Sequence, residues 1–577
     1  MPVGVKRIWN IRQPDPSRVA ELSQKLNISN VVAGLLVNRG YNDPESAQTF
    51  LNPRLSQLAD PHQIKGMPEA VTRILAAFEQ GERVTIHGDY DVDGMTASAI
   101  LTRFLRKIGY EPHVFLPNRF VDGYGVNPKR VEALVADGTS LFISVDCGIR
   151  DVAAVAKARE LGADFIIVDH HQLPNDGLPN ANAILNPHQP DCPFPFKDLC
   201  AAGLAFYLVL GLRAELRSRG FFADQPEPDV RDLLDITALG TIADVVPLRG
   251  VNRVLTAYGL ERMRQSPYVG IRALLSLLPP GRPLTAGTVG FQMVPRLNAA
   301  GRLSDPFKGY VLLSTDDANI AKDIAQEIDR ENKERRELQD VIEEQAVAQV
   351  MESPKGVKAP AHVLWSDQWH PGVTGIVASR SVERFHRPCV MIAVNDEGIG
   401  KGSIRSIRGF DVMRGLERCE EWLEQYGGHP YAAGLSIRAE NIEKFRDAFQ
   451  EAAQALTPPD AWNPSLSLDA EVSFGDISSN LIDTIEVLAP FGAGNPEPKF
   501  CSRRVRVGSV RRVGTDGDHA KLALTQYERR MDAIAFRVGD EAPEEGALID
   551  VAFRPEYNEW RGQVSVQLRI VDWQPST

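Results

Sequence analysis

Between residues 84 and 187 the chain alternates short apolar runs with helical patterns. The segments "RVTIHG", "HVFLP", "SLFISVDCG", "DFIIVDHH" and "AILNP" read as strands. The segments "MTASAILTRFLRKIG", "NPKRVEALVADG" and "DVAAVAKARELG" between them read as helices. That alternation predicts an α/β fold, a parallel sheet covered by helices on both faces. Ligands of such sheets bind beyond the carboxyl ends of the strands. The polar clusters HGDYDVDG, DCG and DHH all fall at those ends, so three strands deliver acids and histidines to one edge.

Downstream, residues 199–310 read as mostly helical. Residues 316–352 hold no glycine or proline and are crowded with helix formers, which predicts one long helix. Its centre, "DRENKERRE", is almost free of apolar residues, the pattern of a connector that bridges domains through solvent. A second, smaller α/β unit follows, and after "TPPDAWNP" the pattern changes to short β-like runs with turns, a small all-β barrel or sandwich. The expected boundaries are a segment 1–45, a first α/β domain 46–315, the connector 316–352, a second α/β domain 353–458 and the β domain 459–577. "SRGFFADQPEPDV" (218–230) reads as a surface insertion.

Bulk properties exclude little. No apolar run approaches the roughly 18 residues of a membrane span, and the N-terminus lacks the apolar core of a secretory signal, so the cytoplasm is the expected location. The six cysteines form no CxxC pair, which reads as reduced buried thiols rather than disulfides or a zinc knuckle. A net charge of −12 argues against a nucleic-acid-binding surface over the whole molecule, but a local basic groove remains compatible with it.

The strand-end clusters carry the chemistry. His87, Asp89, Asp91 and Asp93 crowd into HGDYDVDG; alone they suit an Asp/Gly-rich turn equally well. An EF-hand is a poor match, because Ile100 stands at the twelfth position, where that loop needs glutamate. Asp146 ends an apolar strand, where a helix cap is the plain alternative. His170 and His171 follow Asp169 at a strand-to-loop corner. Asp244 is an acid inside an apolar stretch, and such acids are seldom buried unless paired or coordinated. Together they form a mixed oxygen and nitrogen donor set that suits Mn²⁺, with Mg²⁺ or Zn²⁺ as alternatives. Two such ions about 3.5–4 Å apart clamp a phosphate and activate water for phosphoryl hydrolysis.

The ordered set His87, Asp91, Asp93, Asp146, Asp169-His170-His171 and Asp244 resembles the DHH phosphoesterase superfamily. "GGH" at 427–429 resembles its accessory DHHA1 domain. With "PRLNAAGR" (295–302), "WHPGVTGIVASR" (369–380) and "LAPFGAGNPEP" (488–498), the chain beyond its first 45 residues or so resembles the RecJ family of bacterial single-strand-specific DNA exonucleases. The resemblance implies a DHH domain, a DHHA1 domain and a C-terminal OB domain. It implies that His87, Asp91 and Asp146 bind one divalent ion (Mn²⁺ or Mg²⁺). Asp93, Asp146, His170 and Asp244 would bind a second, with Asp146 bridging. Asp89 and His171 would lie close by in the catalytic group, and His171 would contact the scissile phosphate. It also implies 5′-to-3′ degradation of single-stranded DNA to mononucleotides in recombination and repair, by a monomer working beside single-strand-binding protein and a helicase.

Candidate DNA contacts are Arg296, Asn298 and Arg302, suited to a backbone phosphate or equally to surface ion pairs. Ser403, Arg405, Ser406 and Arg408 lie amid glycines, a composition that suits a terminal phosphate. His370, Arg380, Gly428 and His429 complete the set, with a turn role as the alternative for His370. Arg503, Arg504, Arg506, Arg511 and Arg512, with Tyr527 and Phe536, suit a single-strand groove or a solvated basic strand. Two rival functions stand beside the exonuclease. One is a DHH phosphodiesterase of short oligonucleotides or cyclic dinucleotides; the other is a catalytically silent single-strand-binding scaffold.

Overall fold

The computed structural model describes residues 7–118, 121–123, 125–281, 283–514, 517–560 and 562–576. The chain folds as two compact units, one made of Gln48–Lys333 with Leu488–Pro496, the other of Met1–Ala47, Glu334–Val487 and Glu497–Thr577. Among the described residues no helix is long and apolar enough to cross a membrane.

The first unit is built on a five-stranded sheet in the order His113–Phe115, Arg83–His87, Thr139–Val145, Asp164–Val168, Ala183–Leu185. Every neighbouring pair is parallel. Helices Val92–Lys107, Pro128–Ala136 and Val152–Glu160 make the crossovers. The strand order reverses between Arg83–His87 and Thr139–Val145, which places a ligand crevice at their carboxyl ends. Leu141, Phe142, Ile143 and Val145 are all buried, so this strand reads as a continuous apolar run because both its faces are covered. Helices Ala201–Ser218 and Leu234–Ala243 are almost wholly buried beside Val92–Lys107. Most of the segment after Ser218 is exposed, as its polarity suggests, and two apolar side chains anchor it. Phe221 packs edge-on to Phe78, and Val230 is buried.

The long helix runs Ala318–Glu352, as its composition predicts. It is not solvated all round: Asn332, Arg335 and Gln339 are 1%, 8% and 2% exposed. They fall at helical spacing on one face, and Arg335 donates to Gln339 Oε1 at 3.0 Å. Polar composition predicts exposure only where no polar partner is offered, and here Arg335 and Gln339 partner each other.

The second unit holds two sheets of function-bearing strands. One runs Gln425–His429, Ala432–Arg438, Ile399–Arg405, Cys389–Val394, His362–Ser366, and only the last pair is parallel. Helices Pro371–Phe385 and Ile442–Leu456 accompany it. In the other sheet, Phe500–Val513 pairs with both His519–Gln526 and Leu548–Trp560. Arg529–Ala535 and Gln563–Pro575 complete the circuit, so five strands close on themselves. This is the partly open five-stranded barrel of OB type. The N-terminal segment belongs to this unit: Ile8–Ile11 pairs in parallel with Ser465–Leu468, and Trp9 Nε1 donates to Asp572 Oδ2 at 2.8 Å.

Candidate active site

The strand Arg83–His87 passes into a loop whose Asp91 caps helix Val92–Lys107, accepting from the Asp93 and Gly94 amides at 2.8 and 3.2 Å. Gly94 is required there, since a Cβ would meet the Asp89 backbone nitrogen and oxygen at 2.5 Å. Asp93 points into the protein and is 1% exposed. Its two oxygens accept from Ala201 N and Ala202 N at 2.6 and 2.9 Å, at the N-terminus of helix Ala201–Ser218, where the helix dipole favours negative charge. Nothing in "LCAAGLAF" announces this role except a run of small residues that lets the helix end approach.

Asp146 follows the strand Thr139–Val145 in the left-handed region (φ 64°), a conformation costly for a non-glycine residue and concentrated at functional sites. Asp169, buried at the end of Asp164–Val168, organises the corner. Its Oδ1 accepts from His171 N and Nδ1 at 3.1 and 2.7 Å, and its Oδ2 accepts from Ile149 N at 3.1 Å. Burial opposes its charge, but the His171 contacts hold its carboxyl below the usual range. In turn, and against its own burial, His171 is raised to about 9 by Asp169. His170 is driven the other way, to about 4, by burial and then by the neighbouring His171.

His170 Nε2 lies 3.2 Å from Asp146 Oδ1, 3.6 Å from Asp244 Oδ2 and 3.8 Å from Asp93 Oδ2. Both Nε2 and Asp244 Oδ2 are buried and make no hydrogen bond among the described residues. Burial, then the neighbouring carboxylates, pushes Asp93 to about 7, Asp244 to about 9 and Asp146 well above its ordinary value. Ligands at about 2.1 Å from an octahedral cation stand about 3 Å apart. Three carboxylate oxygens and the buried His170 nitrogen converge at close to that spacing, where a divalent cation would offset the crowded negative charge. The donor set therefore fits a divalent metal of the Mn²⁺ or Mg²⁺ kind.

Among the described residues, three groups have ligand atoms mutually within 4.8 Å: Asp93, His170 and Asp244; Asp89, Asp91 and Asp146; and Asp146, His170 and His171. Asp146 is common to two, the position a bridging carboxylate takes. His87 is outside all three. It is 1% exposed, lowered to about 4 by burial, and its Nδ1 faces Cys147 Sγ at 3.8 Å. Asp89 stands in the group where the sequence placed His87.

The expected DNA contacts divide. Arg296 lies on helix Val294–Leu303 and pairs with Asp329 Oδ1 at 2.8 Å. Asn298 and Arg302 are four residues apart and share a face of that helix, while Arg296 points elsewhere. His370 caps helix Pro371–Phe385, its Nδ1 accepting from Gly372 N at 3.1 Å, so the turn alternative describes it. Arg380 pairs with Glu343 at 2.6 Å. Ser406 donates to Phe410 O at 2.7 Å and stabilises a turn.

Ser403 and Arg405 behave differently. They project from one face of Ile399–Arg405, and across the sheet Arg405 registers with Ala432 and Ala432 with His429, while Ser403 registers with Gly434 and Gly434 with Gly427. Ala432 and Gly434 thus form a low floor between the Ser403–Arg405 edge and the His429 edge. Gly375 faces the same place, its Cβ position 3.3 Å from Arg405 Nη2 and 3.4 Å from Ser403 Oγ. Gly428 sits where a Cβ would meet Ala432 O at 2.5 Å, which keeps the two strands close. Arg405 bonds only its own Ile404 carbonyl, at 2.8 Å, and no carboxylate among the described residues. Burial lowers its pKa with nothing opposing.

On the barrel the arginines do not line up. Bulges between Ser502 and Val505 and between Val507 and Ser509 break the alternation of Phe500–Val513. Arg503 is paired with Glu471 and Asp550 at 3.0 and 2.9 Å. Tyr527 is 89% exposed at the turn between two strands, whereas Phe536 lies past the far end of the second, under the Arg569 guanidinium.

Comparison with known proteins completes the picture. Residues 83–241 match the DHH family N-terminal domain, 356–455 the DHHA1 domain and 468–572 the RecJ OB domain. The single-stranded-DNA-specific exonuclease RecJ of Salmonella typhimurium is 38% identical, over 99% of this chain and 100% of its own length. That of Bacillus subtilis is 37% identical, over 98% and 71%. The crystal structure of RecJ in complex with Mn²⁺ from Thermus thermophilus superimposes with a TM-score of 0.84 at 31% identity, covering 99% of this chain and 80% of that one. Three domain matches in order, joined to identity along nearly the full length of these relatives, place the chain in the RecJ family.

Proposed function

We propose that this protein is a metal-dependent exonuclease that degrades single-stranded DNA from the 5′ end to mononucleotides, acting as a cytoplasmic monomer in recombination and repair. The observation that carries the metal requirement is the ring of Asp93, Asp146 and Asp244 oxygens around the hydrogen-bond-less Nε2 of His170. Asp93, His170, Asp244 and Asp146 would hold one divalent ion; Asp91 and Asp146, with Asp89 and His87 beside them, would hold the other. Bound there, a pair of divalent ions supplies a nucleophilic hydroxide and neutralises the leaving oxygen.

The chain's own residues set the geometry. The helix N-terminus at Ala201 and Ala202 fixes the Asp93 carboxylate. Asp169 holds Nδ1 of His171, so Nε2 is the nitrogen that meets a phosphate oxygen. Ser403 and Arg405, with His429 across the Ala432–Gly434 floor, receive the 5′-terminal phosphate, and Gly428 keeps the strands close enough to do so. Asn298 and Arg302 contact the backbone. The barrel holds single strands by charge and stacking, with Tyr527, 89% exposed, as a ring open to a base.

Digestion of a long single strand labelled at its 5′ end, with Mn²⁺, tests this. Labelled mononucleotide released from the first turnover, and lost in Asp93→Ala and His170→Ala, is the expected result. Activity confined to dinucleotides would favour the small-substrate phosphodiesterase. Equal background in wild type and variants would favour a silent scaffold.

A further inference from the structure

Asp244 differs from the other candidate ligands in lacking a strand or helix N-terminus beneath it. It is the C-cap residue just past helix Leu234–Ala243, its amide donating to Gly240 O at 3.0 Å. The chain then leaves through Val245, which is 69% exposed and holds φ 61°. A β-branched residue in that region is strained and stays there only when its surroundings over-determine it. Val245 N donates to Ile242 O at 3.3 Å, and the far end of the turn is held from far along the chain. Leu248 N donates to Ala493 O at 2.8 Å, and Arg249 Nε donates to Gly494 O at 2.7 Å. The turn Asp244–Leu248 is thus strung between its own helix and the segment Leu488–Pro496.

That segment is built to be rigid. Asn495 is fully buried, and its amide donates to Leu488 O and Pro490 O at 2.8 and 2.9 Å. Gly492 and Asn495 exchange backbone hydrogen bonds at 2.9 and 3.2 Å. Buried Arg253 then gathers the carbonyls of Phe50, Leu488 and Ala489 at 2.8, 2.9 and 2.7 Å. The glycines are sized to the turn: a Cβ on Gly492 would meet Leu248 Cδ1 at 2.7 Å, and one on Gly494, already at φ +68°, would meet Pro247 Cβ at 2.8 Å.

We propose that "LAPFGAGNP" (488–496) is a clasp that positions Asp244, so that affinity for the ion held by Asp93, His170 and Asp244 depends on a segment lying immediately before the barrel in sequence. The proposal rests on the reading of that cluster as a metal site. Gly492, Gly494 and Arg249 are positioning residues, with no contact to the ion or to DNA. The consequence is that a chain cut before residue 488 keeps every candidate metal ligand yet holds one ion poorly.

The test is Mn²⁺ binding to the chelator-treated full-length protein, followed by calorimetry and by the electron spin resonance of free Mn²⁺. Wild type should bind two ions. Gly494→Ala should weaken one of them by about 10- to 100-fold, the range for groups that orient ligands, and leave the other unchanged. Arg249→Ala, an exposed and milder change, should weaken the same ion less. Asp244→Ala, which removes the ligand itself, identifies that ion. Raised Mn²⁺ should restore nuclease activity to Gly494→Ala but not to Asp244→Ala. Equal loss of both ions with lowered melting temperature would make the segment a mere stability element and overturn the clasp. Wild type binding two ions with both variants matching it would also overturn the clasp alone. Wild type binding fewer than two would overturn the reading of the site and the clasp together.

Discussion

Removal of the Arg405 guanidinium should erase recognition of a 5′-terminal phosphate while sparing the chemistry. Arg405 is partly desolvated, meets no carboxylate among the described residues, and stands with Ser403 beside a floor of Ala432 and Gly434. A hydrogen bond to a charged group contributes about 1.5–3 kcal/mol, which is about 10- to 150-fold in an equilibrium constant. Arg405→Ala should therefore lower kcat/KM on a 5′-phosphorylated single strand by about that factor. On the same strand with a 5′-hydroxyl it should change by no more than about 3-fold, since that contact is already missing. Arg405→Lys should fall between, because lysine keeps the charge but not the planar fork. Ser406→Ala is the matched control: its hydroxyl serves Phe410 O, so it should lower stability by about 1 kcal/mol and leave end discrimination alone. Initial rates on paired 5′-phosphate and 5′-hydroxyl oligonucleotides measure this directly. Equal loss on both substrates, or none on either, would refute the assignment of this pocket to the terminal phosphate.

Two buried groups predict opposite pH dependences of stability in the two units. Asp235, buried against Ser266, is raised by desolvation to about 6 from 3.8. Its contribution is full below pH 4 and lost as pH rises through 6, about 3 kcal/mol in all, so Asp235→Asn should flatten that slope in urea melts between pH 4 and 7. His362, buried against Phe385, is lowered by desolvation to about 4 from 6.5; its contribution is full above pH 6.5 and lost as pH falls toward 4, a loss that His362→Phe should remove. Metal should stabilise the fold by mass action: Mn²⁺ at about 100 times its Kd adds about 2.7 kcal/mol per site, visible as a raised melting temperature. Asp146→Ala, which removes the shared ligand, should abolish most of that rise, and an undiminished rise would contradict the bridging role.

What the sequence disclosed follows a physical division. The parallel sheet was legible because its strands and crossover helices are local, and local apolar pattern is what a sequence displays. Asp244 stood out because a carboxylate in an apolar run needs a partner. His170 and His171 were legible as a strand-to-loop corner, whereas the orienting role of Asp169 shows in its bonds to His171. Other features depend on residues far apart in the chain. The Ile8–Ile11 strand finds Ser465–Leu468, Ala201 and Ala202 find Asp93, and Ala493 finds Leu248. The DNA contacts were least legible, because the same arginine letters serve an internal ion pair at Arg296 and, at Arg405, a guanidinium with no carboxylate partner among the described residues. Which barrel arginines share a face was not legible, because two bulges shift the alternation of their strand.

The central claim is that Asp93, His170 and Asp244 hold one ion, and Asp91 and Asp146 with their neighbours a second, at a distance suited to one phosphate. Anomalous scattering at the manganese edge, from crystals soaked with Mn²⁺ and a 5′-phosphorylated oligonucleotide, measures it. Two peaks about 3.5–4 Å apart, with Asp146 touching both and a phosphate between them, is the predicted result. A single peak, or peaks away from His170, would contradict it.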